Sequence, residues 1–414
     1  MNLLDLGDFC VSGFVNSPEA SGPKYPLTLE LCSRFGAPKL KGQRPSATEM
    51  WGEYWYKSGV NPYMTLALQD VVGDVLERLG ESDGYWLDIA ANDGTLLKAV
   101  PDRFKRVAID PVEERIFFEA RASSNFSCND YFSKAAWVSA VGETPRAKVI
   151  TCVSMFYDLD EPVRFLRDAH DILEDDGIVV LQMSYTPFML MQNAFDNICH
   201  EHFYYHDLTS INSIAEASGF RVFDASFNDT NGGSFRVFLK KESSDNLPLL
   251  RKFDCEEARI ARLEQIYLWE ENGINIRSPE VWTDFNDRIH NIKKLVRNLL
   301  VEAKKCNELV LGFGASTKGN TLLQFMEIDS ELLPAIVEAQ EIKFGKYTAG
   351  SGIPIISEAA GAAMNPNGYL VLPWHFIHDF LTRKTSSLPN GGSFYVPCPK
   401  FFEYKVSKGS RYHD

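Results

Sequence analysis

The stretch that most constrains this chain runs from Gly84 to Leu97, GYWLDIAANDGTLL. A short apolar run, Tyr85, Trp86, Leu87 and Ile89, leads into a turn of small residues, Ala90-Ala91-Asn92-Asp93-Gly94. Helix formers follow at once in Leu96-Leu97-Lys98-Ala99. Strand, tight turn and helix start is how an α/β sheet presents a nucleotide site beyond the carboxyl ends of its strands. Small residues let a ligand approach the backbone, and the free N–H groups of a helix start can face it.

The pattern around this stretch repeats. Strands are predicted at 85–89, 106–110, 147–153 and 177–183, alternating with helices at 95–101, 112–122 and 161–173, and a further helix over 62–80. That rhythm gives a mostly parallel, doubly wound sheet. Residues 1–50 are rich in Gly, Pro and Ser and suggest short strands and loops without a core of their own. Helical patterns dense in charge fill 250–305, and most of those charges read as a solvated face. A second strand–turn–helix, ELVLGFGASTKGN at 308–320, opens another small α/β unit. With 414 residues the chain exceeds one core. The expected division is an N-terminal cap at 1–60, a ligand-binding domain at 61–245, a helical connector at 246–306 and a C-terminal α/β domain at 307–414.

Composition removes several classes. A net charge of −14 argues against nonspecific binding to nucleic acid or anionic membrane. No apolar run approaches the ~20 residues of a membrane span. The N-terminal sequence MNLLDLGDFC lacks the basic and long apolar regions of a signal peptide. Eight scattered cysteines, none in a CxxC pair, read as reduced thiols of a cytoplasmic protein.

The first turn lacks the GxGxxG fingerprint that crowds a pyrophosphate against a helix start. S-adenosylmethionine has no phosphate; it offers an amino acid end, a sulfonium, a ribose and adenine. Asn92 and Asp93, with Asp88 behind them, suit an amino group and a cation, and Asp110 at the end of the second strand suits the ribose hydroxyls. The pattern favours a methyl donor over NAD without excluding the dinucleotide.

Leu87–Leu97 (LDIAANDGTLL) resembles motif I of the sugar C-methyltransferases that act on nucleotide-linked keto-deoxysugars. Further stretches match in order: ICHEHFYY at 198–205, NGGSFRV at 231–237, GFGASTKGNTLL at 312–323, KFGKYTAGSGIP at 343–354, LPWHF at 372–376 and VPCP at 396–399. The resemblance spans nearly the whole chain. It implies an α/β fold with a Rossmann-like class I methyltransferase domain, a second smaller Rossmann-like α/β domain and a small irregular N-terminal cap. It also implies S-adenosylmethionine as cofactor, with Asp88, Ala90, Asn92, Asp93, Gly94, Asp110 and Pro111 around it.

Methylating carbon requires an enolate next to a ketone, hence a base, a donor for the oxyanion and a methyl held in line. By resemblance the base is His202, with Glu201 beside it; Tyr205, Tyr54 and Tyr56 would orient the sugar or donate to its oxygen. Adjacent His and Glu residues rarely point at one ion, and HExxH is absent, so His200-Glu201-His202 is not read as a metal site. Asn231, Ser234 and Arg236 are expected near the substrate. Ser316, Lys318 and Asn320 suit an anionic group such as a nucleotide diphosphate.

Departures from the family pattern are specific. Its zinc module carries two CxxC pairs, whereas the Leu31–Gly36 segment keeps only Cys32, with Phe35 in its partner's place. Four ligands are the norm for structural zinc, so none is expected. Cys199 stands where the family has Tyr, and Asp158 where it has His, which puts the acceptor in question. The alternatives are a methyltransferase with an O- or N-nucleophile as acceptor, or a non-catalytic protein that keeps the fold. A monomer or weak dimer is expected.

Overall fold

The apolar runs of the central region assemble into a seven-stranded sheet in the computed structural model, which describes residues 2–51, 56–244, 254–384 and 392–406. Upstream of it lie β1 (Asn2–Cys10), β2 (Phe14–Val15), β3 (Lys24–Leu31) and β4 (Pro38–Lys41). The central sheet comprises β5 (Gly84–Ile89), β6 (Phe104–Ile109), β7 (Phe126–Cys128), β8 (Ala147–Val153), β9 (Leu173–Ser184), β10 (Phe220–Asn228) and β11 (Ser234–Lys241). Their order is β10-β11-β9-β8-β5-β6-β7, with β11 antiparallel to both its neighbours and β5 to β9 parallel. Strand order reverses between β5 and β8, which opens a crevice at their carboxyl ends. β8 and β9 are buried on both faces, which explains their continuous rather than alternating apolar pattern.

Within the run from β5 to β9, two elements escaped the sequence reading. Strand β7 and the helix Lys134–Val141 lie in a stretch too short and mixed for its period to show. Asn231, Gly232 and Gly233 form the turn between β10 and β11, all three with positive φ. Gly233 is tight as well as left-handed: an added Cβ would meet the Phe188 ring at 3.0 Å.

The C-terminal sheet comprises β12 (Val310–Phe313), β13 (Ile336–Glu338), β15 (Ile355–Ser357), β16 (Gly368–Val371), β17 (Ser393–Val396) and β18 (Phe402–Lys405), while β14 (Tyr347–Thr348) pairs with β2. Its order is β15-β13-β12-β16-β17-β18, parallel except for β18. The order reverses here between β12 and β16, giving a second switch point.

Helix Pro279–Lys305 joins the parts. Trp282, Phe285, Ile289, Ile292, Val296 and Leu300 recur at helical spacing and are buried, with Pro279 at its start and Lys304 and Lys305 in its last turn. They share one apolar cluster with Leu4, Leu6, Leu27, Leu29 and Leu40 of the N-terminal sheet and with Leu311, Ile336 and Leu370 of the C-terminal sheet. The expected connector is therefore the centre of a core, and the N-terminal sheet packs on it.

The solvated-face reading of 250–305 also needs correction at Glu270, which is 1% exposed. Its carboxylate accepts from Tyr185 Oη at 2.6 Å, Leu208 N at 2.7 Å, Thr209 N at 2.9 Å and Thr209 Oγ1 at 2.6 Å. Burial raises its pKa to about 6. Glu270→Ala leaves these donors unpaired, and the expected cost is on the order of 3 kcal/mol. Urea unfolding of the variant should show a lower midpoint at unchanged slope.

Candidate active site

The turn after β5 is left-handed at Ala90, Asn92 and Gly94, so the chain folds sharply back into helix Thr95–Ala99. Asp110, at the end of β6, clasps it: Oδ2 accepts from Asn92 N at 2.7 Å and Oδ1 from Val112 N at 2.7 Å. Pro111 is exposed beside it. Asp88 is 4% exposed and accepts from Thr151 Oγ1 at 2.7 Å, and burial pushes its carboxyl up to about 7. Asn92 and Asp93 are not free, contrary to expectation. Asn92 accepts from Ser58 N at 3.0 Å and donates to the Tyr56 carbonyl at 3.1 Å, and Asp93 accepts from Gly59 N at 2.8 Å. Both hold the 56–59 segment over the turn, and either would have to release it to take an ammonium group. Tyr56 is 44% exposed there, and Tyr54 lies outside the described residues.

Residues 199–205 have neither helix nor strand of their own. Leu40 N donates to Phe203 O and Tyr205 N to Pro38 O, both at 2.9 Å, so β4 takes the segment as a partner. From the other side the Tyr157 carbonyl accepts from Phe203 N and Tyr204 N. His200 is 3% exposed and bonds the Tyr25 carbonyl at 3.1 Å, so it is an anchor.

His202 is only partly buried, and its Nδ1 lies 2.8 Å from the Asn197 carbonyl. A carbonyl can only accept, so Nδ1 carries the hydrogen and Nε2 keeps its lone pair. Burial first, then the charge of Lys318, lowers His202 to about 4. Tyr157 packs on its ring at 4.2 Å between centroids. Burial raises Glu201 to about 7, and Asp158 is held well above the carboxylate range by burial and by Glu201. The Cys199 thiol is likewise pushed up by burial. Tyr205 Oη, Asn197 Oδ1 and Asp158 Oδ1 are buried with no partner among the described residues. Tyr205, Asn197 and His202 line a cavity of about 10 Å³, room for roughly one water. A groove of about 490 Å³ between β10 and helix Glu256–Asn272 touches none of these residues.

The C-terminal unit meets this cluster at its own switch point. Lys318 Nζ lies 3.4 Å from the Asn231 carbonyl, and Trp374 Nε1 donates to Asp196 Oδ2 at 3.0 Å. His375 follows, its pKa lowered to about 3 by burial and Lys318. An added Cβ on Gly232 would meet Trp374 at 3.6 Å.

Four expected substrate residues are engaged in structural roles. Arg236 donates to Asp70 at 2.7 Å, Asp74 at 2.8 Å and Gln182 at 2.9 Å, pinning helix Pro62–Leu79 to β11. Ser234 Oγ donates to the Thr230 carbonyl. Ser316 caps its helix by accepting from Gly319 N, and Asn320, fully buried, donates to the Gly13 carbonyl. Residues that sequence reasoning missed include Asp196, Asn197 and Tyr63, whose hydroxyl donates to Asp229 at 2.9 Å beside the Phe376 ring. The LPWHF stretch was the one available signal for Trp374 and His375.

Comparison with known proteins agrees with this architecture. Residues 63–225 match the family model of a methyltransferase domain, and residues 229–399 match that of the C-methyltransferase C-terminal domain. The chain is an S-adenosylmethionine-dependent methyltransferase with a C-methyltransferase C-terminal domain. C-methyltransferase NovU of Streptomyces niveus is 27% identical over 384 residues, covering 91% of this chain and 87% of NovU. Two solved structures overlap less. Mitomycin 7-O-methyltransferase MmcR is 15% identical with a TM-score of 0.34, covering 44% of this chain and 55% of that one. A methyltransferase from Clostridium acetobutylicum is 13% identical with a TM-score of 0.33, covering 44% and 93%.

The zinc implied by the family resemblance finds no fit in this methyltransferase. The Cys32–Ala37 turn is closed by backbone bonds, Gly36 N to Cys32 O and Cys32 N to Ala37 O, both at 2.9 Å. Phe35 packs against Tyr204, and no three His, Cys, Asp or Glu side chains among the described residues are placed to share a metal. No helix among the described residues is long and apolar enough to cross a membrane.

Asp110 is the testable part of the cofactor edge. Asp110→Ala removes the acceptor that shapes the turn, and S-adenosylmethionine affinity by calorimetry should fall by at least about tenfold, the loss of one charged hydrogen bond. Unchanged affinity would show that the turn holds its shape without the clasp.

Proposed function

We propose that this methyltransferase transfers a methyl group to a carbon next to the ketone of a nucleotide-linked deoxysugar, through an enolate. One observation carries the reading. His202 has its Nδ1 hydrogen fixed by the Asn197 carbonyl and is kept neutral, where the crevices of two sheets meet.

The turn of Ala90 to Gly94, Asp88 and the clasped Asp110 would hold S-adenosylmethionine, with Asp110 toward the ribose. When bound, the cofactor supplies an electrophilic methyl on a sulfonium and leaves as a neutral thioether. His202 Nε2 removes the proton from the acceptor carbon, and Glu201, raised toward neutrality, takes or returns it. Tyr205, which lines the same cavity as His202, orients the sugar. Asp158 and Cys199 face the acceptor and set which sugar is taken, and Tyr54 and Tyr56 remain candidates from the segment over the turn. The sugar and its nucleotide rest on the resemblance to the sugar C-methyltransferases. The same resemblance, with the scattered cysteines that read as reduced thiols, supports a cytoplasmic enzyme of a small-molecule pathway.

Deuterium uptake from solvent into the acceptor carbon, with the methyl donor omitted, tests the mechanism and separates carbon from oxygen or nitrogen acceptors. Wild type should exchange, and His202→Gln should exchange at least about 100-fold more slowly, the loss of a general base. The active form of His202 is the deprotonated one, so its acid limb should lie near pH 4, well below that of a solvent-exposed histidine. Undiminished exchange in His202→Gln would remove His202 as the base.

A further inference from the structure

Proton abstraction leaves one need unmet, because negative charge develops on the ketone oxygen and an uncompensated oxyanion in a dry cleft is costly. We propose that Lys318 is a catalytic residue whose ammonium group holds the enolate oxygen, rather than a handle for the nucleotide's phosphates. The proposal rests on the proton-abstraction reading of His202.

Placement is the first argument. Lys318 stands at the start of helix Thr317–Met326, after β12, at the switch point of the C-terminal sheet. The Ser316 cap fixes that helix start, and the side chain reaches across to the turn between β10 and β11, where Nζ meets the Asn231 carbonyl at 3.4 Å. That contact is long, and no carboxylate pairs with Lys318 among the described residues, so the cation keeps bonding capacity for a ligand. Its neighbour Asp196 is 1% exposed, with Oδ2 held by Trp374 and Oδ1 unpartnered. Asn197, next in the chain, fixes His202. One short turn thus sets the counter-charge of the cation and the orientation of the base.

The second argument concerns phosphate. A diphosphate cradle needs several free donors at a helix start. Here Ala315 N is taken by Glu338 at 3.0 Å, Gly319 N by Ser316 and the Asn320 amide by Gly13. Lys343, the other nearby cation, is spent on Glu338 and the Ala315 carbonyl. What remains is the Lys318 ammonium group with the first N–H groups of its helix, Thr317 and Lys318, a small donor set that can close on one developing charge. In the step itself the C–H bond breaks, its proton passes to His202 Nε2, and its electron pair moves into the carbon framework to leave the charge on oxygen. Lys318 keeps its proton throughout.

The titratable groups around His202 are Lys318 and His375 from the C-terminal unit, Asp196 on the turn that carries Asn197, Tyr157 and Asp158 after β8, and Glu201 and Cys199 on its own segment. Of these Lys318 is the one that depresses its pKa after burial. Removing the charge should therefore move the acid limb of exchange to higher pH, which reports that the cation faces His202, while the split between kcat and KM reports its role. With a nucleoside-diphosphate 4-keto-6-deoxyhexose as probe, Lys318→Met in the full chain should lose about 100- to 1000-fold in deuterium exchange and in kcat, the scale of one oxyanion donor. KM should change by less than about threefold, uniform binding being untouched. Lys318→Arg should recover part of the rate, and Lys318→Gln gives the same readouts if the Met variant does not fold. A raised KM with retained kcat would overturn the proposal in favour of a phosphate handle, and so would an acid limb that stays in place. Wild type that neither exchanges nor methylates the probe would overturn the proton-abstraction reading instead.

Discussion

Everything at this site depends on how a segment without regular structure is held. Backbone N–H and C=O groups away from water must find partners, and residues 199–205 find theirs in other parts of the chain. Pro38 and Leu40 take one side, the Tyr157 carbonyl takes the other, and the Tyr25 carbonyl receives His200. His202 is therefore aimed by an N-terminal sheet and by the loop after β8 at once. Such a geometry can be stiff without being a helix or strand. It also explains why the N-terminal part, which has no core of its own, shares the apolar cluster of helix Pro279–Lys305. A loosely docked sheet could not hold a base to the tolerance that proton transfer needs.

The two α/β units use one device for different ends. At the end of its second strand, each places an acid that accepts from the turn after its first strand: Asp110 from Asn92 N, and Glu338 from Ala315 N. In the central unit the clasp leaves a left-handed turn at the cleft edge. In the C-terminal unit Lys343 closes over both Glu338 and the Ala315 carbonyl, and the Phe14 ring lies 5.1 Å below its ammonium group. The Ala315 N–H and carbonyl of that turn are thus satisfied from within, and the N-terminal segment packs beside it. Its contribution to the cleft is reduced to what projects from it, chiefly Lys318.

Much of this was legible because period and turn chemistry are local. Strands β5, β6, β8 and β9 and the helices Thr95–Ala99, Glu114–Ala122 and Pro162–Ile172 follow from alternation of apolar runs with helix formers. The misreadings share a cause. Arg236, Ser316 and Asn320 have the chemistry of ligand contacts, but partners far along the chain, Asp70, Asp74 and Gly13, decide their use. Glu270 sits among many exposed acids on a charged helix, and only Tyr185 and Leu208, brought in by the fold, distinguish it. Asp196 and Asn197 matter through a carbonyl and a single indole contact, which leave no trace in composition or spacing.

The N-terminal module shows what replaces a ligand set when only one of its residues is present. A lone thiol at Cys32 cannot make a four-coordinate site, yet the Cys32–Ala37 turn keeps a compact shape through two backbone bonds and the burial of Phe35 and Ala37. Phe35 packs on Tyr204, which stacks on His206, and Tyr204 pairs with Lys39 across the bridge that anchors the segment. The contacts from Cys32 to His202 are thus ring packing, backbone pairing and a side-chain hydrogen bond between Cys32 and Tyr204. Because packing of this kind is short-ranged, a change at Phe35 is passed toward the base by Tyr204 and Phe203. The fidelity of the base's position and the integrity of a turn on the opposite face of the segment are, for that reason, one property of the molecule.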